Sequence, residues 1–232
     1  MGILDPTPKL MAHTLRALAW LLRYPDDSLR AVAADLQTAL HAEGALAASR
    51  LAELDALVRK LVTDAPLRTA AEYVELFDRG RRTALHLFEH VHGDSRDRGP
   101  AMIDLAQTYE RTGLLMAAGE LPDYLPVALE FASTQPPLQA REFLRETAHI
   151  VRTIMSALLE RGSPYASVLA SVLDLAGERA ERVPLAAEPP LDESWEEPEA
   201  FGGCASVGQS HPGEPQPVHI VRPARAPQRA DA

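Results

Sequence analysis

Hydrophobic residues recur at helical spacing through the first 182 positions of this chain. Leu15, Leu18 and Leu22 form an apolar stripe that must stop near Tyr24, because Pro25 disfavours helix at the residue before it. Asp26, Asp27 and Ser28 supply side-chain oxygens to cap a second helix, with Leu29, Val32, Leu36 and Leu40 on one side and Gly44 as its breaker. Leu51, Leu54, Val58 and Leu61 repeat the pattern, and Asp64, Ala65 and Pro66 open a segment running toward Phe77. Met102, Leu105 and Tyr109 make a further stripe, closed near Gly113, and Pro122 and Pro126 bracket a turn into Val127–Phe131. Leu144, Ala148, Val151, Met155 and Leu158 mark the longest clean stripe. Ser163 and Pro164 read as an N-cap and a first helical position ahead of Val168, Leu169, Val172, Leu173 and Ala176. Alternation of period two is absent before Val183. The pattern predicts an all-α, compact bundle of about eight helices with no fixed-period repeat.

The character changes at Val183. Nine of the nineteen prolines lie beyond it, together with the Gly202-Gly203 pair and few periodic hydrophobic residues. Such a segment cannot bury enough apolar surface to offset its ordering entropy, so residues 1–182 are expected to form the helical domain and 183–232 a flexible, disordered tail. Within that tail Trp195 sits in an acidic stretch, Arg222, Arg225 and Arg229 make the end basic, and residues 218–221 are strand-like. The tail reads as a solvated linker with a sticky end, or as a partner-binding tail or an autoinhibitory lid anchored by Trp195.

Composition narrows the class. A 46% hydrophobic content over 232 residues suffices for one sizeable core, and the scarcity of aromatics beside abundant Ala and Leu favours helices. The net charge of −10 argues against nucleic acid as a generic partner, since phosphate binding needs a basic face. Cys204 stands alone, which rules out an intramolecular disulfide and leaves too few thiolates for a cysteine-built metal site. The first residues lack a basic region followed by an apolar run, and no stretch approaches the ~20 apolar residues of a membrane span. A soluble, cytosolic protein without direct membrane insertion is expected.

Candidate chemistry concentrates between Tyr73 and Asp104. His86, Glu89 and His90 match the H-x-x-E-H pattern of inverted zinc proteases. On one helix, however, Ala84, Leu87, Phe88 and Val91 would share the apolar side and both histidines would point away from it. An outward-facing pair offers neither a third ligand nor a cleft. Arg79, Arg81, Arg82, Asp94, Arg96, Asp97 and Arg98 flank the same segment. They read either as solvated, mutually paired loops or as arginine forks that hold carboxylates or backbone carbonyls of a bound peptide. The run ELPDYLPVALE from Glu120 to Glu130 reads as a helix start capped by Asp123, and also as a groove wall beside Phe77 and Phe88.

Taken together, LFDRGRR (76–82), LFEHVHGDSRDRG (87–99) and ELPDYLP (120–126), with LLRYP (21–25) and the tail's ESW (193–195) and FGG (201–203), resemble the NarJ family of nitrate reductase assembly chaperones. That family is a branch of the TorD-like redox-enzyme chaperones, and the likeness covers about Lys9 to Arg182. The resemblance implies an all-helical, non-enzymatic chaperone without a cofactor of its own. Such a protein binds the N-terminal region of the apo catalytic (alpha) subunit of nitrate reductase. It holds that subunit open for insertion of the molybdenum cofactor and an iron–sulfur cluster, and delays its membrane docking. The client-facing residues it implies are Phe77, Arg79, Arg81, Glu89, His90, Arg96, Arg98, Glu120 and Asp123. Phe88 joins them on the physical reading of an apolar groove lined by Leu76, Phe77 and Phe88 with arginines at its lip. His86 and Pro100 depart from the family's pattern. The alternatives are a zinc-dependent hydrolase built on His86, Glu89 and His90, and a helical adaptor for another molybdoenzyme.

Overall fold

The computed structural model describes residues 9–93, 95–117 and 119–185, so the Trp195 region and most of the expected tail lie outside the described residues. Nine α-helices follow one another among these: α1 (Ala12–Leu21), α2 (Asp27–Glu43), α3 (Ala48–Thr63), α4 (Pro66–Tyr73), α5 (Leu87–His92), α6 (Arg98–Arg111), α7 (Leu125–Thr134), α8 (Pro137–Glu160) and α9 (Ala166–Ala176). A π turn (Val74–Asp78) and a 3₁₀ turn (Arg81–Thr83) separate α4 from α5. Strand-like pairing among the described residues is confined to one antiparallel bridge, His86 with Tyr124.

Centre and periphery follow from how much of each helix is apolar. Every residue of α9 except Asp174 is buried, as befits a helix that is hydrophobic all round. It packs along α8 and also meets α1 and α3, while α1 packs on α7 and α2. Val168, Leu169, Val172 and Leu173 are essentially inaccessible, and each contributes about 1.5–3 kcal/mol of burial before ordering costs. By contrast, Tyr109 is the only buried residue of α6, which rests through it on a small satellite core with Val127 and Phe131.

Local signals set several boundaries. The Asp26 carboxylate accepts the N–H groups of Ser28 (3.0 Å) and Leu29 (3.1 Å), which caps α2, and Gly44 ends that helix in the left-handed region at φ 62°. Pro66 occupies the first turn of α4. Other ends depart from expectation. The last helix begins at Ala166, and Ser163 and Pro164 form a preceding turn in which the Ser163 carbonyl accepts the Ala166 N–H. Asp123 does not cap α7, whose N-cap position is Tyr124 without a side-chain bond. The start of α1 carries no local cap. The Glu43 carboxylate, at the far end of α2, accepts the His13 N–H at 3.1 Å and the Thr14 N–H at 2.7 Å in its place.

Candidate functional site

The chain segment after α4 does not continue as α-helix. At Val74–Asp78 the ladder widens, so that the Arg79 N–H reaches back five residues to the Val74 carbonyl at 3.0 Å. This turn sends neighbouring side chains apart. Leu76 faces outward and is half-buried, whereas Phe77 is only 5% exposed. Its ring packs at 4.8 Å on Tyr73 and edge-on at 5.1 Å against Tyr165. The Leu76 carbonyl is satisfied by the Thr83 hydroxyl, which also reaches the Gly80 carbonyl at 3.1 Å. Glycine at position 80 is required by close approach: a Cβ there would collide with the Leu76 carbonyl oxygen and the Thr83 hydroxyl.

The next segment is fastened to the run around Asp123. Leu125 N–H donates to the Leu85 carbonyl and Leu87 N–H to the Asp123 carbonyl, both at 2.9 Å, on either side of the His86–Tyr124 bridge. The His86 ring stacks on Tyr124 at 5.2 Å. Tyr73 donates its hydroxyl to the Leu22 carbonyl at 2.7 Å and therefore accepts from Tyr124, 3.3 Å away. The LLRYP, LFDRGRR, LFEHVH and ELPDYLP runs are thus joined in space.

Asp123 is the anchor of this junction. Its carboxylate is wholly buried; it accepts the Phe88 N–H at 3.2 Å and faces His86 Nδ1 at 3.4 Å and Arg98 Nη2 at 3.6 Å. Asp123 therefore caps α5 across the chain, where negative charge at a helix start is favourable. Burial alone would raise its pKa, but the His86 and Phe88 hydrogen bonds and the Arg98 charge leave it below the ordinary value of 3.8. The His86 pKa is raised, first by the bond to Asp123, against the opposing effect of burial. Arg98 also reaches Glu89 at 3.3 Å.

The ten residues expected to face a client divide accordingly. Phe77 and Asp123 are interior, so they shape the surface from beneath. Arg79, Arg81, Glu89, Arg96 and Glu120 are exposed, and Arg98, His90 and Phe88 are half-buried. Phe77, Arg79, Arg81 and Glu89 meet, with His86, at one shallow cleft of 300 Å³. Leu76, Phe77 and Phe88 do not line a common groove, because the π turn places Leu76 in a separate, larger cleft and Phe77 in the core.

The helical metal geometry considered for His86, Glu89 and His90 does not exist. His86 precedes α5 with extended backbone angles, φ −87° and ψ 105°, so the two histidines are not one turn apart on a helix. His90 turns inward, with Nε2 2.8 Å from the Ala84 carbonyl, and Val91 is the exposed residue, the reverse of the expected facing. Among the described residues no group of three His, Cys, Asp or Glu is placed to hold a metal ion.

Sequence reasoning passed over Tyr73, Thr83, Tyr124 and Tyr165. Each acts through a partner far away in the chain or through an end of its side chain that no periodicity marks.

This helical architecture has a solved counterpart. A solved chain from Archaeoglobus fulgidus, described as a candidate redox enzyme maturation protein, superposes with a TM-score of 0.51 over 72% of this chain and 94% of its own, at 21% identity. The chain belongs to the nitrate reductase delta subunit family, whose model matches residues 23–171. It is 44% identical over 156 residues to the nitrate reductase molybdenum cofactor assembly chaperone NarJ of Escherichia coli K12, covering 67% of this chain and 66% of that protein. A Bacillus subtilis (strain 168) protein, under the same description in qualified form, is 34% identical over 67% of this chain and 84% of its own length. The match thus spans just under two thirds of the Escherichia coli relative.

Proposed function

We propose that this protein is a non-enzymatic assembly chaperone that binds the N-terminal region of the apo catalytic subunit of nitrate reductase. In this role it keeps that subunit competent for molybdenum cofactor insertion, working in the cytoplasm before membrane docking. The reading is supported by the similarity to chaperones of that description. The observation that carries it to a site is the junction at Asp123. Four sequence runs, separated by up to a hundred residues in the chain, are fastened side by side there, and they present Arg79, Arg81, Glu89 and Arg98 around a shallow cleft. Arginine forks beside a shallow charged cleft suit the carboxylates or backbone carbonyls of a bound peptide. Among the described residues no helix is long and apolar enough to cross a membrane.

The test is calorimetric titration of the full chain with a peptide from the N-terminus of its own organism's nitrate reductase catalytic subunit, beside a scrambled control. Saturable binding is expected, weakened about tenfold or more in Arg79→Ala, Arg81→Ala, since charge-assisted contacts contribute about 1.5–3 kcal/mol each. No binding to the wild-type chain would sink the proposal. Phe77→Ala is unsuitable as a binding variant, because the ring is part of the core.

A further inference from the structure

We infer that the pocket framed by Tyr24, Tyr73, Tyr124 and Asp78 is a binding site for a primary ammonium group, carried on the lysine side chain of a partner. The pocket measures 250 Å³, and Phe77, Leu85 and His86 complete its lining. It shares Phe77, Asp78 and His86 with the shallow charged cleft and so adjoins it. A ligand of this kind goes beyond the chaperone reading and does not depend on it.

The aromatic walls favour a cation. Tyr24 stands edge-on to Tyr73 at 5.6 Å, and Tyr124 is joined to Tyr73 through hydroxyl oxygens 3.3 Å apart. Ring faces carry negative potential and attract a cation held within about 6 Å of the centroid. The hydroxyl groups narrow the choice further. Tyr73 donates its proton to the Leu22 carbonyl, and Tyr124 donates its own to Tyr73. Both donors are spent, so what remains on each oxygen is an acceptor lone pair. Burial first, and the Asp78 charge after it, raise the pKa of both phenols, which stay neutral. Two phenol oxygens and the Asp78 carboxylate offer three acceptors. That number matches the three N–H donors of an ammonium, whereas a guanidinium would bring five.

Charges around the pocket leave room for one more cation. Arg23 is answered by Glu130 at 3.7 Å and lies over the Trp20 ring. His86 is answered by Asp123 at 3.4 Å, and Arg79 by Glu75 at 3.3 Å. Asp78 and Glu120, whose charges both act on Tyr124, are exposed and make no ion pair among the described residues. The local balance is therefore negative. Phe77 and Leu85 supply an apolar wall for the methylenes of a lysine stem.

The experiment is an NMR titration of the full chain with isotope-labelled tyrosine rings. Five tyrosines are present, and Tyr109 lies outside the pocket as an internal control. The probe is N-acetyl-lysine methylamide at constant ionic strength, beside its uncharged norleucine analogue and its arginine analogue. The lysine form should move the Tyr24, Tyr73 and Tyr124 resonances saturably and leave Tyr109 in place. It should bind about tenfold or more tighter than the norleucine form, because charge-assisted hydrogen bonds are lost in the latter. Asp78→Asn should weaken it about tenfold. Tyr24→Leu should weaken it about threefold, and Tyr24→Phe, which keeps the ring, should leave it unchanged. Asp78 and Tyr24 are exposed, so the Tm of these variants should stay at the wild-type value. Equal affinity for norleucine, comparable movement of Tyr109, or unaltered affinity in Asp78→Asn would overturn the inference. Tighter binding of the arginine form would overturn the choice of an ammonium. Alanine methylamide, whose ammonium is that of a chain terminus, separates the two sources of the group. It should bind more weakly than the lysine form, and tighter binding would overturn the assignment to a side chain.

Discussion

Replacing Asp123 with asparagine keeps the volume but removes the charge around which His86, Arg98 and the Phe88 N–H are arranged. Loss of about 1–3 kcal/mol of stability is expected from urea unfolding, because those donors would remain with a weaker acceptor. The pH dependence has a definite sign. The Asp123 pKa is depressed, so its contribution is present above its ordinary value of 3.8 and is lost as pH falls through the lower folded value. The His86 pKa is raised above 6.5, so its contribution is full below that value and is lost as pH rises through the higher folded value. The stability difference between wild type and His86→Gln should therefore shrink from about pH 5.5 to about pH 8.5. Equal differences at the two pH values would mean that the contact with Asp123 does not hold the histidine's proton. Phe77→Ala should cost about 3–5 kcal/mol, in keeping with a ring set between Tyr73 and Tyr165.

Elements in this protein owe their ends to one another as much as to their own residues. Asp26 could be read as a cap because it is two and three residues from the N–H groups it accepts. Glu43 could not, since it serves α1 from about thirty positions away and looks locally like an ordinary helix-terminal glutamate. Glu43→Ala should lower stability by about 1 kcal/mol while an exposed Glu53→Ala leaves it within about 0.5 kcal/mol, both by chemical denaturation. The π turn shows the same division. Periodicity correctly ran helix from Pro66 toward Phe77, but it could not register the widened turn, which depends on Thr83 reaching the Leu76 carbonyl and on the absence of a side chain at Gly80. Thr83→Val, which keeps the shape and removes the buried hydroxyl, should cost about 1–3 kcal/mol. A calorimetric melt would detect the loss, and a neutral outcome would mean that the turn holds without this bond.

For the molecule as a whole, α9 is the element on which the rest is assembled. Leu173→Ala should remove about 2–5 kcal/mol and move a single unfolding transition, because α1, α3 and α8 all meet that helix. A variant that split the transition in two would show that α9 does not join them into one cooperative unit. Two clefts lie on either side of one aromatic group. Phe77 backs the shallow charged cleft and Tyr165 the larger apolar one, with their rings in contact.

By itself the sequence determined that the body is helical, where most helices run and which residues line their apolar sides. Hydrogen bonds four residues apart, proline geometry and near neighbours on a helix face are all local, so the order of residues carries them. The motif runs that mark the family were legible for the same reason, being contiguous strings. Tertiary structure alone decided the rest: that Phe77 and Asp123 look inward, that His86 stands outside the helix it was expected to share with His90, and that Glu43 and Asp123 cap helices remote from them. Only the assembled fold buries the Tyr165 hydroxyl without a partner among the described residues. Burial and electrostatic satisfaction depend on which distant groups arrive beside a side chain, and no spacing along the chain encodes that arrival.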